Sequence, residues 1–95
     1  MDKGEYDWSI KDFSEAIRLD PESVLAWFYR GLAYYNKGDY DQAIKDYSEA
    51  IKLEPDDAGA WNSRGVAYKK LGNEAKAKAD FLKAEELKAK AKSKP

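Results

Sequence analysis

The chain has 95 residues, with 17 Lys/Arg against 18 Asp/Glu and a formal net charge of −1, which makes one small domain whose core is only just large enough to fold alone. It contains no Cys and no His, so disulfides, thiolate nucleophiles, Cys-based zinc sites and the usual general base are excluded. Arg, Lys or Asp breaks every apolar run within a few residues, and Met1-Asp2-Lys3 opens without the apolar stretch of a secretion signal, so a soluble, cytoplasmic protein is predicted.

The apolar spacing predicts five helices, at about residues 6–19, 22–36, 40–53, 57–70 and 74–91. The first carries Tyr6, Trp8, Ser9, Phe13 and Ala16 and stops before Asp20-Pro21. In the second, Trp27, Gly31 and Tyr34 share one face. Gly38 then ends that helix, and Asp39 caps the third, with Gln42 expected to complete a capping box. Ala43, Tyr47 and Ala50 form the apolar face of the third helix. Pro21 and Pro55 fall where a new helix can start, since the first turn does not need the missing N–H. The fifth helix has no stop and is expected to run on through Glu85-Glu86-Leu87-Lys88-Ala89-Lys90, leaving 93–95 as a disordered tail.

These elements repeat every 34 residues. Trp27, Arg30, Gly31, Ala33, Tyr34, Gly38, Ala43, Asp46, Tyr47, Ala50 and Leu53 recur as Trp61, Arg64, Gly65, Ala67, Tyr68, Gly72, Ala77, Asp80, Phe81, Ala84 and Leu87. The first helix anticipates the third: Tyr6, Ile10, Asp12, Phe13, Ala16, Ile17 and Pro21 match Tyr40, Ile44, Asp46, Tyr47, Ala50, Ile51 and Pro55. A unit this short cannot bury its own apolar face, so copies must stack and expose long surfaces. Such a chain binds partners rather than transforming substrates. Gly31 and Gly65 are placed for close helix approach, while Ala43, Ala50, Ala77 and Ala84 accept opposing rings. Trp27, Trp61, Tyr34 and Tyr68 are accordingly expected in the core.

With this period, Trp27, Gly31, Tyr34, Ala43, Tyr47, Ala50 and Pro55, and Gly38-Asp39-Tyr40 at the turn, closely resemble the tetratricopeptide repeat. The next copy keeps Trp61, Gly65, Tyr68, Ala77, Phe81 and Ala84 but has Ala89 in place of Pro and Glu74 in place of the turn Tyr. The resemblance implies an all-α, right-handed solenoid of antiparallel helix pairs A and B over residues 1–92: a half repeat 1–21 with helix B only, and full repeats 22–55 and 56–92. It also implies an interaction scaffold whose A helices line a concave groove and whose partners are peptides or proteins, without a cofactor.

Two departures from the pattern are informative. The first copy lacks its A helix, so the strip Tyr6, Trp8, Ser9, Phe13 and Ala16 is left without its intramolecular cover. Either the chain is a piece of a longer array, or a partner supplies the cover, a second copy being the simplest one and a homo-oligomer, domain-swapped or not, the result. Arg30 and Arg64 occupy positions where the family most often has a large aliphatic residue, and Asp12, Asp46 and Asp80 recur in phase with them. Partly buried Arg–Asp pairs between neighbouring helices are predicted, leaving Asp12 unpaired if pairing is within repeats and Asp80 if it is between them.

The predicted groove stripe is Leu25, Phe28, Leu32 and Tyr35, with Asn62, Val66, Lys69 and Lys70 as a more polar, basic edge. It suits a peptide with one or two large apolar side chains and an acidic group, and equally a packing helix from the same or a second chain. Some members of the family clamp chaperone C-terminal carboxylates with Lys, Asn and Arg. Phe28 and Leu32 stand at two of those positions, so chaperone-tail recognition is not expected. Asp39-Tyr40-Asp41 and Asp56-Asp57 read as helix-start residues and lack calcium-loop spacing. The Lys-rich stretch from Lys83 to Lys94 alternates with Ala as a solvated helix does, which argues against nucleic acid and membrane partners. Charge is uneven: residues 1–57 hold 7 basic and 14 acidic side chains, and 58–95 hold 10 and 4.

Overall fold

The computed structural model describes residues 3–93 and contains, among them, five helices and no strand: α1 (Lys3–Leu19), α2 (Val24–Lys37), α3 (Tyr40–Leu53), α4 (Ala58–Lys70) and α5 (Glu74–Ser93). Each packs chiefly on its neighbour in sequence, α1 on α2, α2 on α3, α3 on α4 and α4 on α5. That chain of neighbour contacts is an all-α solenoid.

Several boundaries differ from the sequence expectation for local reasons. α1 starts at Lys3, earlier than the expected residue 6, and Gly4 lies within it without a positive φ. α2 starts at Val24 because Ser23 is its cap, accepting a hydrogen bond from the Ala26 N–H, so Pro21 lies in the preceding turn and not in the first helical turn. Asp57 caps α4 in the same manner through Gly59 N–H, with Pro55 again in the turn. The prolines instead present carbonyls: the indole N–H of Trp27 donates to Pro21 O at 2.8 Å, and that of Trp61 to Pro55 O at 2.9 Å. Ser93 is helical, and residues 94–95 of the expected tail lie outside the described residues.

The turn within a repeat is closed by glycine. Gly38 has φ +93°, its N–H donates to Tyr35 O, and the Asp39 N–H donates to Tyr34 O. Gly72 (φ +83°) and Asn73 repeat this arrangement on Lys69 O and Tyr68 O. The Asp39 side chain accepts from Gln42 N–H at 3.4 Å, but its own N–H is used by Tyr34, so the expected reciprocal half of the capping box has no donor left.

Small residues dominate the core. Ala43, Ala50, Ala60, Ala67, Ala77 and Ala84 are almost fully buried, with Tyr47 the large ring among them. A Cβ on Gly31 would stand 2.9 Å from the Tyr47 ring, and one on Gly65 2.8 Å from Phe81, so only glycine permits these approaches.

The Arg–Asp pairs form within repeats. Arg30 Nε and Nη2 donate to the two carboxylate oxygens of Asp46, each at 2.8 Å, and Arg64 does the same to Asp80. Nη1 of each reaches back one repeat, to Ser14 Oγ and Ser48 Oγ at 3.1 Å. The guanidinium groups also lie over rings: Arg30 over Trp27 (5.1 Å) and Tyr34 (5.8 Å), Arg64 over Trp61 (5.0 Å) and Tyr68 (5.8 Å). Hydrogen bonding to the buried aspartates raises both Arg pKa values. Asp12 takes no part: it is exposed, with no ion pair to another described residue. Between α1 and α2 the ion pair is instead Lys37 to Asp7, at 2.6 Å.

Candidate functional site

The groove residues predicted from the sequence divide into two groups. Leu32 and Tyr35 of α2 meet Asn62 and Val66 of α4 around a hollow of about 110 Å³, which Tyr47 and Ser63 complete. Phe28 does not join them. Its ring turns inward, 5.5 Å from Tyr47 and 5.5 Å from Tyr29, and it packs against both buried clusters. Leu25 is exposed at the start of α2, and Lys69 lines a separate hollow at the α5 end with Glu74, Ala77, Lys78, Phe81 and Leu82. Lys70 is exposed in the last turn of α4. Tyr35 is held edge-on against Tyr40 across the turn, ring centroids 5.2 Å apart.

Sequence reasoning missed Tyr29. The exposed stripe of α2 is Leu25, Tyr29, Leu32 and Asn36, spaced 4, 3 and 4, one position round from the expected Leu25, Phe28, Leu32 and Tyr35. Both spacings are helical, and both contain Leu25 and Leu32. The signal that separates them is Tyr47: its ring, placed by Gly31, takes Phe28 as a neighbour and leaves Tyr29 outside.

The strip predicted on α1 also divides. Tyr6, Ser9 and Phe13 line a second hollow, of about 180 Å³, with Tyr29, Leu32, Ala33 and Asn36 of α2. Phe13 stacks on Tyr29, centroids 5.9 Å apart and planes 22° apart. Ala16 is half-buried, whereas its counterparts Ala50 and Ala84 are sealed. Trp8 is 70% exposed. Leu32 is shared by both hollows, so one continuous apolar surface runs from α1 across α2 to α4.

Among the described residues there is no group of three or more carboxylates able to hold a metal, and no helix long and apolar enough to cross a membrane. The arrangement offers shape, apolar area and a few hydrogen-bonding groups, which is the chemistry of recognition.

A family model described as TPR repeat matches residues 1–38 and 31–72, and one described as tetratricopeptide repeat matches 58–90. A search of curated proteins finds no match. Among solved structures, a crystal structure of MamA is 31% identical with a TM-score of 0.92, covering 95% of this chain and 53% of its own. Another MamA crystal structure is 33% identical with a TM-score of 0.88, covering 96% and 50%. The second TPR of Spaghetti (RPAP3), bound to the HSP90 peptide SRMEEVD, is 32% identical with a TM-score of 0.84, covering 88% and 78%. The chain thus spans about half the length of the MamA chains it matches.

Proposed function

The chain belongs to the tetratricopeptide repeat family, and from that premise we propose that it is a non-enzymatic scaffold holding a peptide or protein partner on the concave side, where α2 faces α4. The observation that carries this reading is the hollow walled by Leu32, Tyr35, Asn62 and Val66, continuous with the exposed side chains of Leu25 and Tyr29. That the RPAP3 repeats are seen with a bound peptide supports a peptide as the class of ligand. The ligand inferred here differs from a carboxylate tail: Leu32, with the exposed Leu25 and Tyr29, offers apolar contact, and Lys70, exposed in the last turn of α4, attracts an acidic group flanking it.

The reading is tested by titrating a panel of peptides, each with one large apolar residue beside Asp or Glu, against the chain and its Asn62→Glu variant. Asn62 is exposed, so the substitution leaves the fold intact while placing a negative charge at the hollow. Binding at least tenfold weaker in the variant is expected; binding that ignores position 62 overturns the site. The alternative, in which a second copy covers α1 through Tyr6, Trp8, Ser9, Phe13 and Ala16, draws support from the exposure of Trp8. It is the less favoured, because both helices with the matching Trp-x-x-Arg-Gly-x-x-Tyr face, α2 and α4, are already packed within the chain.

A further inference from the structure

The hollow walled by α2, α3 and α4 is not uniformly apolar. Leu32, Tyr35 and Val66 form its sides, while Tyr47, Asn62 and Ser63 bring a phenol, a carboxamide and a hydroxyl to it. Tyr47 is 1% exposed, yet its hydroxyl is hydrogen-bonded to no described residue. Buried tyrosine hydroxyls ordinarily have a partner, because leaving one unpaired costs free energy. Every sealed side-chain nitrogen or oxygen among the described residues does have one, so the Tyr47 oxygen is not sealed, and the hollow that Tyr47 lines is its opening. Packing does not require this hydroxyl. Phe81 takes the same place one repeat later, lying on Gly65 as Tyr47 lies on Gly31, and Phe13 takes it one repeat earlier. Ser63 repeats the signal. Ser48, also inside a helix, turns its hydroxyl onto Ile44 O at 2.7 Å, whereas the Ser63 hydroxyl and the Asn62 carboxamide bond to no described residue. Three hydrogen-bonding groups thus border one hollow, and none is committed to the fold.

We propose that this hollow, within the groove reading on which the inference rests, is a pocket for one carboxamide side chain of the bound peptide, glutamine above all, its oxygen accepting from the Tyr47 hydroxyl and its N–H donating to Ser63 Oγ. A hollow of about 110 Å³ admits one side chain and not a helix, which is about 10 Å across. The glutamine stem lies along Leu32 and Val66, and the apolar residue of the peptide stays on Leu25 and Tyr29. Burial raises the Tyr47 pKa, so the phenol keeps its proton at neutral pH and donates. A leucine in the same place would cover the Tyr47 and Ser63 hydroxyls without pairing them. A glutamate would bring an ionised carboxylate onto neutral hydroxyls beside Asp46, whose own charge already acts on the Tyr47 phenol and takes both Arg30 donors that could compensate it. The acid of the peptide therefore belongs outside the pocket, near Lys70.

The test takes the peptide panel of the groove titration, each member made with Gln, Leu or Glu at the positions flanking its apolar residue, and titrates it calorimetrically into the full chain and its Tyr47→Phe, Ser63→Ala and Asn62→Glu variants. Tyr47→Phe keeps a ring on Gly31, as Phe81 does on Gly65, and Ser63→Ala removes a hydroxyl that no described residue uses. The best Gln peptide should bind the unmodified chain about tenfold more tightly than its Leu and Glu counterparts, because a site built to hydrogen-bond a group rejects the analogue that lacks it. Tyr47→Phe should abolish the preference for Gln over Leu, and Ser63→Ala should lower it. Gln and Leu peptides that bind equally to the unmodified chain, or a Gln preference that survives both substitutions, overturn the pocket. If Asn62→Glu still weakens binding in that case, the groove stands without the pocket. Absence of saturable binding by every member overturns both.

Discussion

Each Arg–Asp pair joins a ring, a charge and a close approach in one repeated unit. Asp46 is only 2% exposed, and its charge is tolerated because Arg30 meets both oxygens. Asp46→Ala leaves a largely buried guanidinium unpaired, and Arg30→Leu leaves a buried carboxylate, so each is expected to cost about 3 kcal/mol. The double substitution should cost less than the sum by roughly 1–3 kcal/mol, read as the coupling energy from urea unfolding of all four proteins. Tyr47 supplies a second test. Burial, with smaller contributions from Tyr35 and Asp46, pushes its phenol pKa up from the ordinary 10.0. The folded state therefore holds the proton longer than the unfolded chain, so the stabilisation is complete below pH about 10 and is lost as pH rises beyond it. Stability of the unmodified chain should fall between pH 10 and 11.5, and Tyr47→Phe, which copies Phe13 and Phe81, should flatten that fall in thermal melts. The sequence announced the Arg and Asp residues by their period but not the third partner. Ser14 and Ser48 receive the guanidinium only because the next helix crosses at that point.

A helix in this chain is stable through the neighbour it covers, and the glycine contacts set how near that neighbour comes. Any side chain at Gly31 enters the Tyr47 ring, so Gly31→Leu should separate α2 from α3 and cost about 2–3 kcal/mol. In a domain of this size that lowers the melting temperature by roughly 10–20 °C in calorimetry. Helix existence and the turn at Gly38 were legible because glycine, cap and period agree locally. Helix starts were less so. Pro21 and Pro55 look like first-turn residues in sequence, yet Trp27 and Trp61 draw their carbonyls into hydrogen bonds and hold them in the turn. On α5, Lys78 and Glu85 stand where Ile44 and Ile51 join clusters shared with α4, and both are exposed.

Because contacts run between sequence neighbours, α1 and α5 lie at opposite ends of a molecule 41 × 31 × 20 Å in extent, and the charge asymmetry of the sequence becomes an axial one. The acidic α1–α3 end of one molecule should attract the basic α4–α5 end of another at low ionic strength. Sedimentation velocity at about 20 mM salt is expected to show a weak, concentration-dependent rise in mass that about 0.3 M salt removes, since the Debye length then falls below 10 Å. Persistence of the larger species in salt would place the contact on the exposed Trp8 and the apolar strip of α1 instead. The sequence by itself determined the repeat length, the helix count, the glycine turns and the pairing partners in phase, because each follows from spacing along one chain. The tertiary structure alone decided which of two helical stripes faces outward, which aspartate each arginine takes and which aspartate is left without one. Those outcomes depend on how far one helix is rotated against the next, and the contact of Gly31 with Tyr47 fixes that rotation where spacing does not.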